Sequence, residues 1–449
     1  MASIDSPIII IGAGLVGLTL AQGLKKAGFK FEIYDRDNSL HERPAGWGIT
    51  MHWALPALAS CLPPQIFETL LSIQVDPVEG GKENDYYQFL DFETGAVKFA
   101  IPSSQHYRLN RKLFRELLCT DIPVQWNKRV KDFTSTPNGV TVNFSDGTTA
   151  SGSMLLAVDG KNSRVKRQLV GDEASRLSPL PVAFNGLTLR LSPDQMAPFR
   201  AIHPVLWQGC HPKSGFFVFF SMLSTPASNG SATTSSPYYE GQFNMSWLTS
   251  RHGPTPSTPS AQLAAIKRAA TSDTGFFPTL RDAILAIPDD TPALEIKLED
   301  WPTQPWLSGA HSRVSLVGDA AHTMTMYRGE AANHGIYDAV KLVWELTRWR
   351  AGEQSLEQGL QQYQDEVVQR THEAVLLSRE ACLECHDIDS LSEESAVFRV
   401  AGFNAAVTEE RPTFDIAGDG SGGVVDGEGL ERLHGERNME GPAREAVAV

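Results

Sequence analysis

The sequence predicts an α/β protein in which a doubly wound unit is interrupted by a mostly β domain and followed by C-terminal helices. Three features carry that prediction. Residues 8–36 read as strand, glycine turn, helix, strand and acid. Two later buried-strand patterns, Met154 to Val158 and Arg313 to Val317, lead into short acid–glycine turns, Asp159-Gly160 and Gly318-Asp319. Between them, from about Pro181 to Asp300, strand-like segments alternate with long polar loops.

The first unit can be justified part by part. Ile8 to Ile11 is apolar at every position, as a strand buried on both faces of a parallel sheet must be. It runs into Gly12-Ala13-Gly14-Leu15-Val16-Gly17, a GxGxxG turn. Gly12 permits the tight turn, Gly14 keeps side chains away from a pyrophosphate, and Gly17 lets the helix pack closely. The helix N-terminus offers free N–H groups and partial positive charge to phosphates. Its body carries Val16, Leu20 and Leu24 on one side and closes at Gly28. Phe29, Phe31 and Ile33 alternate along the second strand, which ends on Asp35-Arg36. Asp35 lies eighteen residues past Gly17, where a carboxylate would accept hydrogen bonds from ribose hydroxyls. The unit is therefore read as dinucleotide-binding and Rossmann-like.

Residues 37–50 read as a glycine-rich loop and 52–72 as helix, punctuated by Pro56 and Pro63-Pro64. Tyr86 to Phe92 and Ala96 to Ile101 read as a hairpin around Glu93-Thr94-Gly95. Arg108 to Leu118 reads as helix, and two strands meet at Pro137-Asn138-Gly139. The β region offers Val182 to Leu191, Gly215 to Leu223 and Phe243 to Leu248 as strands. Ser224 to Pro237 reads as a flexible insertion and Gly253 to Ser260 as a loop. Helices are expected over about Asn333 to Arg350 and Ser355 to His386. From Asp415 the glycine-rich, acidic composition predicts a loosely attached tail. The expected division is 1–75, 104–178 and 301–350 for the nucleotide domain and 76–103 with 179–300 for the β domain. Residues 351–400 form the C-terminal helical region and 401–449 a flexible tail.

A net charge of −14 argues against nucleic acid or an anionic membrane as partner, since either needs a basic face. No stretch approaches the roughly 20 apolar residues that span a bilayer. Five cysteines in 449 residues fit reduced thiols, so a cytoplasmic protein is expected; separately, a monomer or weak homodimer is expected. Cys382 to His386 matches a haem-attachment spacing, but no export signal accompanies it and no metal site is expected.

Four further stretches resemble the motifs of the single-component (group A) FAD-dependent monooxygenases, the aromatic-hydroxylase or salicylate-hydroxylase-like family. Leu155 to Arg164, with Asp159-Gly160, resembles that family's DG motif, and Gly318 to His322 resembles its GD motif. Arg328 to Ala339 looks like the glycine loop and helix beside the flavin. Arg111, followed by Phe114 and Leu118, resembles the arginine helix between the first two motifs. Thr323 and Thr325-Met326 stand where the family commonly has proline, and Met326 to Glu330 looks more like the fungal secondary-metabolite members.

The resemblance implies a Rossmann-like FAD-binding domain holding non-covalent FAD. Gly12, Gly14, Gly17, Asp35 and Arg36 would serve its dinucleotide end, and Asp159 belongs to the DG motif. In the family the acid at Asp319 holds the ribityl chain, and Arg111 would pair with phosphate or ribityl oxygens. Gly48 matches a position where backbone meets the cofactor, and the Gly329–Ala332 loop faces the flavin, Ala332 giving an N–H. The implied activity uses NADPH or NADH and O₂, through a flavin C4a-hydroperoxide, to hydroxylate or epoxidise an electron-rich aromatic, indole or polyketide-type small molecule. Lys161, Arg164, Lys166 and Arg167 form a basic patch that either attracts the nicotinamide cofactor or is a solvated helix face. Two other readings stay open: a flavin oxidase or dehydrogenase without oxygen insertion, and a non-catalytic binding protein on the same fold.

Arg190 is the candidate catalytic residue. On alternating spacing Phe184, Gly186, Thr188 and Arg190 share one face of their strand. If that face overlooks the flavin, Arg190 is a fixed cation above the reacting carbon; otherwise it is a strand-end arginine reaching solvent.

Overall fold

Ile8–Ile11 lies at the centre of a five-stranded parallel sheet, where a strand apolar on both faces is fully covered. The order across that sheet is Val314–Leu316, Met154–Ala157, Ile8–Ile11, Phe31–Tyr34 and Val124–Gln125. The four isoleucines are at most 4% exposed, and burying each contributes roughly 1.5–3 kcal/mol. This computed structural model describes residues 6–43, 46–79, 86–102, 106–271, 275–307, 311–399, 413–414, 416 and 424–425. The three motif turns follow Ile11, Ala157 and Leu316, the carboxyl ends of three adjacent parallel strands. Ligands bind at that edge of open α/β sheets.

The second sheet has seven strands in the order Ala293–Glu295, Val182–Leu191, Tyr239–Leu248, Phe217–Ser224, Leu206–Cys210, Tyr86–Asp91 and Val97–Pro102. All neighbours are antiparallel except Leu206–Cys210 with Tyr86–Asp91. A two-stranded ribbon, Gly48–Met51 against Tyr107–Asn110, lies between the two sheets' cores. Helix Leu356–Glu384 contributes to both cores: Leu356, Leu360, Tyr363 and Val367 to the first, Ala381 and Cys382 to the second.

Several expectations need correction. Gly48 to Thr50 is strand, not loop, and Arg108 to Asn110 is its partner strand, not helix. The helix begins at Arg111, because Asn110 accepts the backbone N–H groups of Lys112 and Leu113 as its N-cap. The expected helix 52–72 breaks at Pro63 into Leu55–Cys61 and Pro64–Thr69, followed by a tight turn Leu70–Ile73. Helices Pro193–Ile202, Pro259–Thr271 and Pro278–Leu285 occupy stretches read as loop or left unassigned. The Ser224 to Pro237 stretch is tied down, not flexible. Asn229 Nδ2 donates to Ser224 Oγ and the Tyr238 carbonyl, Ser231 Oγ donates to that carbonyl, and Thr225 and Ser231 are buried. Its small hydroxylated side chains satisfy their neighbours' backbone groups. Most of the expected tail lies outside the described residues. Within it, however, Thr413–Phe414 pairs with Val424–Val425 and Ile416 is buried in the first core. Among the described residues no helix is long and apolar enough to cross a membrane.

One buried carboxylate joins three of these elements. Asp338, on helix Ala331–Arg350, accepts the Gly318 N–H at 2.8 Å and meets His322 Nε2 at 2.6 Å through Oδ2. Its Oδ1 accepts from Arg370 on the C-terminal helix at 2.6 Å. Burial opposes its ionisation, but His322 and Arg370 outweigh that and hold its pKa down to about 2. A lowered folded pKa stabilises above the unfolded value and loses that stability as pH falls through the folded one. Asp338→Asn should therefore cost about 3–5 kcal/mol at neutral pH in urea denaturation. The wild-type advantage should be complete above about pH 4 and shrink towards pH 2. An advantage that is absent at pH 7, or unchanged at pH 2, would contradict this role.

Candidate active site

The glycine turn has the shape its sequence demands. Gly12 has φ +111°, and a Cβ there would lie 2.2 Å from the Val158 carbonyl oxygen. A Cβ at Gly17 would lie 1.9 Å from the Gly12 oxygen, so what Gly17 permits is close packing on the turn itself. A Cβ at Gly14 would meet nothing within 4 Å; that residue opens onto a cavity of about 640 Å³. Asp35, Arg36, Arg111, Asp159 and Asp319 line the same cavity, as do Gly12 and Gly17. Asp35 is 3% exposed and accepts the Ala13 N–H at 2.6 Å and the Asp37 N–H at 2.8 Å, which fixes its carboxylate beside the turn. Arg115, not anticipated from sequence, braces the turn: its Nε donates to the Ala13 carbonyl at 2.8 Å and its guanidinium reaches Asp37 at 3.2 Å.

A second cavity, of about 250 Å³, lies under the seven-stranded sheet. Gly48 and Gly329 line it, and the two cavities share Ile49, Arg111, Ala331 and Ala332. Its walls are largely apolar, including Trp47, Phe184, Phe217 and Phe219. Arg108 enters from the ribbon, donating to Thr50 Oγ1 at 2.8 Å and Ser221 Oγ at 2.9 Å. A Cβ on Gly48 would sit 2.7 Å from the Arg108 guanidinium, so the missing side chain makes room for that arginine. Tyr327 donates to Ser246 Oγ at 2.8 Å, and that oxygen meets His386 Nε2 at 2.9 Å. Burial lowers the His386 pKa to about 4, so the ring is neutral at pH 7.

Arg190 is a correction. Its strand lays Phe184 on the second cavity, but two residues per repeat carry Thr188 and Arg190 away from it. Arg190 is exposed, its guanidinium 3.7 Å over the Tyr238 ring. The basic patch is not a plain solvated face either. Lys166 is 1% exposed with its ammonium 4.4 Å over Trp301, and burial lowers its pKa to about 8. Lys161 pairs with Glu299 at 2.9 Å, and Lys161, Arg164 and Arg167 line the first cavity.

The electrostatics fit an elongated ligand with an anionic middle. Helix Leu15–Lys26 begins at Gly14 with no side-chain cap and no acid in its first turn, so its N–H groups face the cavity unclaimed. Helix Ala331–Arg350 likewise starts without a side-chain cap, where the two cavities join. Arg111 is the cation at that junction; burial lowers its pKa, and the nearby Arg43 and Arg115 add to the effect. Asp159 Oδ1 is buried without a partner, a vacancy that typically costs about 1–3 kcal/mol when a ligand does not fill it. Asp319 opens into the cavity and is otherwise enclosed by protein. Desolvation raises its pKa, against the pull of His322 and Arg111. The acids, uncapped helix starts and glycine openings are all suited to FAD.

Comparison with known proteins agrees. A profile described as an FAD binding domain matches residues 298–378, and one for an NAD(P)-binding Rossmann-like domain matches residues 10–48. The FAD-dependent monooxygenase dbaB of Emericella nidulans is 46% identical over 341 residues, covering 75% of this chain and 85% of that protein. The FAD-dependent monooxygenase phnB of Penicillium herquei is 32% identical over 403 residues, covering 89% and 95% respectively. Among solved structures, Klebsiella pneumoniae HpxO complexed with FAD and uric acid has a TM-score of 0.66 at 22% identity, over 85% of this chain and 90% of that one. The 2,6-dihydroxypyridine-3-hydroxylase of Arthrobacter nicotinovorans has a TM-score of 0.67 at 17% identity, over 89% and 97%. The structures support the fold, the sequence relatives the family: the chain belongs to the FAD-dependent monooxygenases.

Proposed function

We propose that this enzyme uses NAD(P)H and O₂ to hydroxylate an electron-rich aromatic small molecule, in fungal-type secondary metabolism. One observation carries the reading: the polar, phosphate-suited cavity and the aromatic-walled cavity meet at Arg111 and Ala332. FAD in the first would present its reactive end to a substrate in the second. When bound, FAD supplies the redox chemistry and the activation of oxygen. The chain's residues bind, orient and exclude water. Gly12, Gly14, Gly17, Asp35 and Arg36 hold the dinucleotide end, with Asp159, Asp319 and Arg111 along the middle. Gly48, Gly329 and Ala332 border the reactive end, where the start of helix Ala331–Arg350 places positive potential against developing anionic charge. The apolar wall of the second cavity keeps water from the reacting carbon. The basic residues Lys161, Arg164 and Arg167 at the cavity favour approach of a polyanionic nicotinamide cofactor to an otherwise acidic protein. Free thiols at all five cysteines support a cytoplasmic location.

The FAD assignment has a direct mutational consequence. Asp35→Ala removes charge-assisted hydrogen bonds worth roughly 1.5–3 kcal/mol, so FAD affinity should fall about ten- to a hundredfold in titrations of the apoprotein. An unchanged affinity would remove Asp35 from the site.

Oxygen insertion is tested with isotopic O₂. Supplied with NADPH and an aromatic substrate, ¹⁸O₂ should leave a single labelled oxygen in the product. Complete recovery of the label as hydrogen peroxide, with substrate consumed, would favour an oxidase.

A further inference from the structure

The sheet wall of the second cavity holds a pair of neutral hydrogen-bonding groups that the protein itself does not use, besides Arg328 Nη1 from the flavin-side loop. Strand Tyr239–Leu248 alternates, so Gln242, Asn244 and Ser246 share one face, and Gln242 and Asn244 line the cavity. Two of these three are satisfied internally. Gln242 Oε1 accepts the Gly48 N–H at 3.2 Å, and Ser246 Oγ is engaged by Tyr327 and His386. Asn244, between them, is 1% exposed, and its Oδ1 has no partner.

The same cross-sheet row repeats the anomaly. Gln208 lies opposite Phe219, and Phe219 opposite Asn244. Gln208 also lines the cavity, is also 1% exposed, and its Nε2 also has no partner. The row therefore offers one unclaimed acceptor and one unclaimed donor on either side of Phe219. Their backbones are two strand spacings, or roughly 10 Å, apart. Flipping both amides exchanges their roles and still leaves one donor and one acceptor, whereas flipping one alone would leave two of a kind. Gly186 continues the row on the far side of Asn244, where a Cβ would come within 3.1 Å of Oδ1. Its absence keeps that oxygen uncrowded.

Buried polar side chains nearly always find partners, so two vacancies in one row of a cavity wall mark where a ligand's polar groups belong. Asn244 and Gln208 are themselves neutral, which suits neutral groups at these two points; the charged residues of the wall are Arg108, whose guanidinium lies 5.6 Å over the Phe219 ring, Arg111 and Arg328. Apart from these residues, Thr50 and Gln242, the wall is aromatic and apolar, which suits a planar ring system. An apolar cavity of about 150 Å³ takes benzene, so one of about 250 Å³ is matched to two fused rings.

We propose that the substrate is an uncharged two-ring aromatic with a hydroxyl and a carbonyl at opposite ends, the hydroxyl donating to Asn244 and the carbonyl accepting from Gln208. This rests on the reading of the second cavity as the substrate site. Asn244 and Gln208 are thus specificity determinants that set which edge of the ring system faces the flavin.

The test uses the FAD-loaded enzyme and follows the flavin absorbance on titration with naphthalene, 2-naphthol, 2-acetylnaphthalene, 6-hydroxy-2-acetylnaphthalene and 2-naphthoate. The hydroxy-ketone should bind at least about tenfold more tightly than naphthalene, with the singly substituted neutral compounds between them. Asn244→Leu should erase the gain due to the hydroxyl and Gln208→Leu the gain due to the carbonyl. Both variants should keep wild-type naphthalene affinity and an equal or higher Tm, because leucine replaces an unpartnered polar group; a structural role would lower Tm instead. If Asn244→Leu does not fold, Asn244→Ala must show the same selective loss. Tightest binding of 2-naphthoate would overturn the proposal in favour of an anion site at Arg108. Equal affinities for naphthalene and the hydroxy-ketone would overturn it while leaving the cavity as the substrate site. Failure of every compound to perturb the flavin would remove the substrate-site reading and this proposal with it.

Discussion

Asp338 accepts hydrogen bonds from a backbone N–H and a histidine of one turn and from an arginine of the C-terminal helix, and the active-site geometry depends on that convergence. Its Oδ2 fixes Gly318 and His322, which bracket Asp319. Its Oδ1 fixes Arg370 on the C-terminal helix. Because Asp338 stands two turns into helix Ala331–Arg350, the same contacts set where that helix begins, and so where Ala332 faces the two cavities. A fully buried carboxylate is costly unless paired, and the pairing here is what links sheet edge to helix start. The placement of an acid and a helix N-terminus at one junction is therefore a property of the core, not of the loops.

The features around that junction are ones that a fold selected for stability alone would avoid. Asp159, Asn244 and Gln208 each leave a buried polar atom unpaired. Two helices start without side-chain caps. Gly14 and Gly329 have open space where a side chain would pack. Each of these is unfavourable in isolation, and all of them line the two connected cavities.

Much of this was legible in the sequence because local pattern and tertiary role coincided. The all-apolar Ile8–Ile11 could only be a central parallel strand, and the alternation of Val182–Leu191 gave its limits to the residue. The residues expected to hold FAD all reach one of the two cavities, since glycine spacing and strand-end acids are set by backbone geometry. The failures have equally physical causes. The Pro/Ser composition of 253–260 reads as a loop, yet Pro259 begins a helix, as do Pro193 and Pro278 in unassigned stretches, because a missing N–H costs nothing at the first helical position. Arg108 was placed in a helix because the Asn110 cap between strand and helix went unrecognised. For Arg190, periodicity identified the correct face but could not say where the cavity ends along it. Asn244 was missed for the converse reason: polar residues at every second position look the same whether they face water or a cavity.

The proposed function requires FAD to span the first cavity and to end at its junction with the second. A crystal structure of the FAD-loaded protein tests it most directly. Continuous density is expected from the Gly14 turn past Asp159 and Asp319 to Ala332, with the ring system bordering Gly329 and the aromatic-walled cavity open beside it. Density that leaves the ring system remote from Ala332, with no contact to the second cavity, would contradict it.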